Sequence, residues 1–396
     1  MNPDSNQAPR AEGHSAVIDR QASESVKWHR YDPDVLPLWV ADMDFRSPRA
    51  VIDALCQRAE HGIYGYPQEL PGLRPVIVER LARLWGWHVE PEALLFLPGV
   101  VTGFTQAIHA TTAPGDGVLA QTPVYYPILY APAKAGCLLD QMELTRRPDG
   151  QYEVDLDRFR TAITPRTRIF VLCNPHNPVG RVFQRDELEA MAEICLQHDM
   201  IICADEIHNE LVFRGHQHLP IARLDPEVAQ RTITFMAPSK TFNIAGLQFS
   251  VAIIENEELR ERFVAAGQGL VPWVNLMGQV AALAAYRDGD PWLAEIMDCL
   301  EANLDFLLEY VDTHLPGVTM ARPEGTFLAW LDCRGAHLPG SPHEFFLEKA
   351  RVALNEGATF GRGGEGFARL NFACPRATLE QALERMRRAL EAVAGE

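Results

Sequence analysis

The chain has 396 residues, 47% of them hydrophobic and 9% aromatic, and a formal charge of −17 from 36 basic and 53 acidic residues. The length exceeds one ordinary core of ~100 to 200 residues and implies two domains, or one large domain with an appendage. The acidic balance excludes nucleic acid and anionic membrane as partners, because both require a basic face, and leaves a small-molecule ligand.

Residues 1–25 lack an apolar signal region and no stretch reaches the ~18 apolar residues that span a bilayer, so the expectation is a soluble cytoplasmic protein with a disordered tail over 1–25. An arm follows at 26–46, reading "WHRYDPDVLPLWVADMDF"; Pro33 and Pro37 exclude a long helix and predict an extended segment lying across another surface. The pattern then predicts a helix over 48–61, a loop carrying "YGYP", a helix over 73–85 and a strand "ALLFLPG". That strand runs through a glycine turn into the apolar helix "VVTGFTQAIHATT". Next come the strands "GVLAQTP", "TRIFVLCNP", "MIICADEIH" and "TITFMAPSK", with the amphipathic helix "DELEAMAEICLQHD" among them. Apolar runs of this kind separated by helices predict a mostly parallel sheet covered on both faces, in a large α/β domain over 47–285. From 286 to 396 the order is a long helix (291–311), a strand "GTFLAWLDC", a helix "HEFFLEKARVALNEG", a strand "FARLNFACP" and a terminal helix, which reads as a smaller α+β domain. The eight cysteines contain no CxxC pair, and most sit in apolar runs, as expected of reduced core thiols.

Each polar motif follows the carboxyl end of a predicted strand, where open α/β sheets bind ligands. Lys240 in "MAPSKTFNIAG" closes an apolar run; burial there would lower its pKa and free an amine that attacks carbonyls, although a lone lysine at a strand end more often snorkels to solvent. Asp205, at the tip of "IICADEIHNE", either caps the next turn or stays ionised against a cation such as a pyridinium nitrogen. Asp205, His208, His216 and His218 also admit a metal reading, but at no recognised ligand spacing. "CNPHNPVGR" is a rigid turn presenting Asn177. "LPGVVTGF" offers the free amides of a helix start, suited to a phosphate. Tyr125 and Tyr126 in "TPVYYP" are core or ring-stacking aromatics. Arg369, on the apolar strand "GFARLNFACPR", is a salt-bridge partner or a clamp for a carboxylate.

In this order the motifs "WVADMDF", "YGYP", "TPVYYP", "CNPHNPVGRVF", "ADEIHNELVF", "SKTFNIAGLQ" and "RLNFACPR" resemble the pyridoxal-phosphate enzymes of aminotransferase fold type I, class I/II. Within these they look most like the MalY/PatB-type cystathionine β-lyases, or C-S lyases. The resemblance runs from about Trp28 to the last helix. It implies a pyridoxal 5'-phosphate cofactor, an amino-acid substrate and a homodimer with active sites at the subunit boundary. By the same resemblance Lys240 would be the Schiff-base lysine and general base. Asp205 would pair with the pyridine nitrogen, Asn177 and His208 would approach the ring hydroxyl, and Tyr125 would stack on the ring. The amides of Val100 and Val101 would hold the phosphate, helped by Ser239 and by Tyr66 of a second subunit. Arg369 would bind the substrate α-carboxylate, with Ala41 of the arm and Asn177 beside it. Where many aminotransferases carry an arginine, "GLQ" places Gln248, and His208 stands where many have a tyrosine; both favour the lyase branch over an aminotransferase. A non-catalytic pyridoxal-phosphate regulator is the remaining alternative; such a version usually carries a DNA-binding module, and the short N-terminal tail shows no helix-turn-helix pattern.

Overall fold

The computed structural model describes residues 16–394. Seven strands form the central sheet: β1 (Leu94–Leu97), β2 (Gly117–Thr122), β3 (Leu138–Glu143), β4 (Thr167–Cys173), β5 (Ile201–Asp205), β6 (Thr232–Met236) and β7 (Ser250–Ile253). Their spatial order is β1-β7-β6-β5-β4-β2-β3, and β7 is antiparallel to both its neighbours while the rest pair in parallel. The apolar character of "TRIFVLC" and "TITFM" follows from this position, since both faces of the sheet are covered. On one face the helix Val100–Thr111 packs Phe104 and Ile108 over Val118, Ile233 and Phe235. On the other, Leu188 and Met191 of the helix Arg185–Gln197 join Phe159, Phe170 and Ile202. Fully burying such side chains contributes about 2 kcal/mol each.

Gly103 explains how closely the first helix approaches: a Cβ there would lie 2.5 Å from the ring of Phe235. The close contact brings the helix start down to the strand ends. In register, Cys173 of β4 faces Asp205 of β5, which faces Phe235 of β6, so three carboxyl ends finish at one level.

The C-terminal part builds its own core. Strands β8 (Leu328–Asp332), β9 (Asn355–Glu356) and β10 (Phe367–Asn371) form an antiparallel sheet in the order β8-β10-β9. The helices Asp290–His314 and Arg376–Ala394 cover it with Leu300, Leu304, Leu307, Leu379 and Met386. Leu38, Met43 and Phe45 of the arm enter the same core, and Leu36–Pro37 pairs in parallel with Val352–Ala353.

Four expectations need correction. The segment expected as a helix over "HEFFLEKARVALNEG" winds only through Pro342–Phe345 and Phe346–Ala350; Arg351 then turns at φ +55° and the chain becomes extended. Pairing of Val352–Ala353 with the arm and of β9 with β10 overrides the local helical pattern. Lys240 is not a strand residue, because β6 stops at Met236 and Lys240 rides on the single helical turn Pro238–Thr241. The arm is not wholly extended, having one helical turn at Val26–His29. Finally, of the expected tail, residues 1–15 lie outside the described residues, but 16–25 are held: Arg20 hydrogen-bonds Asp42, Asp44 and Ser25.

Candidate active site

A cavity of about 260 Å³ opens at the carboxyl ends of β4, β5 and β6, roofed by Trp39, Val40 and Ala41 of the arm and closed by Arg369 and Asn355 of the small sheet. Its lining includes Val100, Val101, Tyr125, Asn177, Asp205, His208, Ser239 and Lys240, so ten of the eleven site residues expected from sequence line one space, Ala41 and Arg369 among them. Tyr66 is the exception. It is 92% exposed and packs edge-on against Trp273 of its own chain, outside the cavity.

Lys240 donates from Nζ to the carbonyl of Ala41 at 2.6 Å. Burial pushes its pKa down to about 8, with Asp42 and Asp205 acting the other way and Arg369 reinforcing the fall. The snorkelling alternative is therefore not what this lysine does. Asp205 is buried and accepts one hydrogen bond, from the amide of Ile207 at 3.2 Å. Burial lifts its carboxyl to about 7, and the charge of Lys240 lowers it only in part. His208 is buried against Phe327, its Nδ1 lacks a partner, and burial holds the ring well below its ordinary pKa and hence neutral.

Arg369 is held on three sides. Its guanidinium donates to Asn177 Oδ1 at 3.0 Å and to the carbonyl of Trp39 at 2.8 Å, and it lies 5.0 Å over the ring of Phe360. Its Nε has no partner, and burial with no carboxylate in contact lowers it to about 10. A buried guanidinium without an acid is the chemistry of an anion site. At the other end Gly99 precedes the helix Val100–Thr111 with no side-chain cap, and the space where its Cβ would stand is empty to 4 Å. The first amides there are free for an anion of their own.

The four residues of the metal reading are split. His218 contacts Glu206 Oε2 at 3.0 Å and, with His216, lines a different cavity from Asp205 and His208. Gln248 does line the candidate site, at φ +52° just beyond the turn Ala245–Leu247. Sequence reasoning missed Asn355 and Cys173 as lining residues. Asn355 was hidden by the mistaken helix, whereas Cys173 could have been found from its position directly before the "NPHNP" turn.

Asp205 makes a pH signature of the cofactor-free protein. Its folded pKa of about 7 lies above the ordinary 3.8, so its contribution to stability is full below the unfolded value and is lost as pH rises from about 4 to 7. Asp205→Asn should remove that loss. In denaturant titrations without cofactor, the variant gains on the wild type by up to about 4 kcal/mol across this window; a constant difference would show that Asp205 ionises freely.

A half-buried lysine and a buried acid at or just beyond the ends of the parallel strands, a buried arginine from the small sheet and a free helix start, all around one cavity, define a cofactor-dependent enzyme acting on a small anionic substrate. The chain belongs to the aminotransferase class I and II family, whose model matches residues 33–386. It is 40% identical over 381 residues to cystathionine beta-lyase PatB of Bacillus subtilis, covering 94% of this chain and 98% of that protein. Among solved structures, that of OvoB is 44% identical with a TM-score of 0.91, covering 94% of this chain and 97% of the other. Cystalysin from Treponema denticola, solved with its pyridoxal 5'-phosphate cofactor, is 31% identical with a TM-score of 0.92 and covers 96% of this chain and 99% of its own. Among the described residues no helix is long and apolar enough to cross a membrane.

Proposed function

We infer that this chain is a pyridoxal-phosphate-dependent carbon-sulfur lyase, which cleaves L-cystathionine or related cysteine S-conjugates by α,β-elimination to a thiol, pyruvate and ammonia. The observation that carries the reading is the set of unmet groups in one cavity: the free amides after Gly99, the unpaired acid Asp205, the orphaned Nδ1 of His208 and the orphaned Nε of Arg369. They fit a phosphorylated pyridinium cofactor at one end and an amino-acid carboxylate at the other. When bound, pyridoxal phosphate supplies a carbonyl for the amino group and a ring that accepts the electrons released at Cα.

The residues divide the remaining work. Lys240, whose amine is kept partly neutral by burial near pH 8, is the covalent anchor and the base that takes the Cα proton. Asp205 is the carboxylate for the pyridinium N–H, an ion pair that would end its isolation in the apolar strand ends. Tyr125, 5.1 Å from Tyr126 between ring centroids, supplies an aromatic face, and burial raises its hydroxyl to about 12, which keeps it protonated. Asn177 and His208 are assigned to the ring hydroxyl, and Val100, Val101 and Ser239 to the phosphate. Arg369 takes the substrate carboxylate under the arm at Ala41.

A homodimer belongs to this reading. Its support is the exposed aromatic pair Tyr66 and Trp273, at 92% and 73%, joined by Leu270 at 82%; Tyr66 would complete the phosphate site of a second copy. A cytoplasmic location is supported by the eight unpaired cysteines, six of them buried.

The competing outcome is amino transfer. Reconstituted enzyme should release pyruvate and thiol from S-substituted cysteines and cystathionine at a rate independent of added 2-oxo acid. Amino transfer to a 2-oxo acid, with little pyruvate formed, would replace the lyase reading by an aminotransferase. An absorbance band from bound cofactor with neither activity would favour the regulator.

A further inference from the structure

Residues 16–31 touch no part of the cavity, yet they hold its roof. Lys27 is 1% exposed, and its ammonium lies 2.8 Å from Asp44 Oδ2, 3.3 Å from Asp42 Oδ1 and 3.2 Å from the carbonyl of Asp42. Arg20 reaches the same two acids, at 2.9 Å to Asp44 and 3.2 Å to Asp42, and Trp28 Nε1 donates to Asp44 Oδ1 at 3.0 Å. Two cations and two carboxylates therefore close a neutral cluster. Directly before it, the carbonyls of Trp39, Val40 and Ala41 accept from Arg369, Asn371 and Lys240. Residues 39–44 belong to no helix or strand; one backbone bond, from Asp44 to the carbonyl of Ala373 at 2.9 Å, and the side chains of Asn243 and Asn371 at Met43 and Asp42 are their other ties.

A buried ion pair adds little stability over well-packed apolar side chains, but losing one member strands a charge, and its best-attested use is to select one arrangement among several. An irregular segment that must present three carbonyls to two different parts of the molecule needs such selection. We propose that Arg20, Lys27, Asp42 and Asp44 form a positioning device that locks the 39–44 segment over the cavity and so fixes how Arg369 and Lys240 meet the substrate. The inference rests on the reading that Arg369 receives the substrate carboxylate. Lys27 and Arg20 are positioning residues: they act through the arm and touch neither cofactor nor substrate.

The test uses Lys27→Met and Arg20→Met in cofactor-loaded enzyme, read by steady-state kinetics on an S-substituted cysteine and by backbone hydrogen exchange without substrate. Exchange should accelerate about tenfold or more across 38–44 while the strands β4 to β6 keep wild-type protection. KM should rise about tenfold, a coupling of ordinary size, and kcat, which depends on Lys240, should fall by a smaller factor. Arg20→Met, whose side chain is 22% exposed, should move the same readouts less far and decides the matter if Lys27→Met does not fold. Unchanged exchange and KM in both variants would overturn the proposal, and so would exchange rising equally in the arm and the strands, the mark of a merely structural role. Absence of lyase activity in the wild type would sink the functional reading alone, because the exchange pattern still judges the device.

Discussion

Lys240→Ala is expected to lower β-elimination by about 10⁴-fold, the upper range for loss of a positioned base, and to abolish the absorbance of covalently held cofactor. The side chain is half-buried on the turn Pro238–Thr241, and among the described residues no other lysine lines the cavity. Removing it also frees the carbonyl of Ala41 from its 2.6 Å hydrogen bond, so the arm above loses one of its ties. Cofactor should still bind through the amides after Gly99 and through Asp205. A spectrum of loosely held cofactor together with lost turnover separates the chemical role from a folding defect. Retention of most thiol release by a folded variant would remove Lys240 from the mechanism.

Arg369→Lys is the second large effect. Lysine keeps the charge but cannot reproduce the planar fork that now donates to Asn177 and Trp39 with Nε left for a ligand. Truncating a buried charged hydrogen-bonding partner weakens binding by about 2 to 5 kcal/mol, so kcat/KM should fall about 30- to 4,000-fold. Most of the loss should fall on KM, since the carboxylate is bound in ground and transition states alike. An amide of the same substrate should be processed by both enzymes at similarly low efficiency. If the variant discriminated against the amide as strongly as the wild type does, the carboxylate would have to bind elsewhere.

Much of the site was legible because its residues sit where strands end. The apolar runs before Asn177, Asp205 and Lys240 marked three neighbouring strands, and the parallel order of β4, β5 and β6 brings their ends to one level. What could not be read was set by distant parts of the chain. The arm pairs Leu36–Pro37 with Val352–Ala353, across more than three hundred residues, and that pairing turns an expected helix into extended chain and carries Asn355 to the cavity. Lys27 illustrates the same limit. A lysine between Val26 and Trp28 gives no local sign of burial, because its partners Asp42 and Asp44 are supplied by the folded arm. Tyr66 shows a third kind, since its exposure within one chain leaves its proposed role to a second copy.

The central claim is elimination at this cavity, and counting turnovers without an amino acceptor tests it most directly. Enzyme reconstituted with pyridoxal phosphate is given an excess of L-cystathionine or an S-substituted cysteine with no 2-oxo acid present. A lyase continues through many turnovers and yields thiol, pyruvate and ammonia in equal amounts. An enzyme that stops after one amino group per active site, with the cofactor left in its aminated form and no thiol released, would contradict the account.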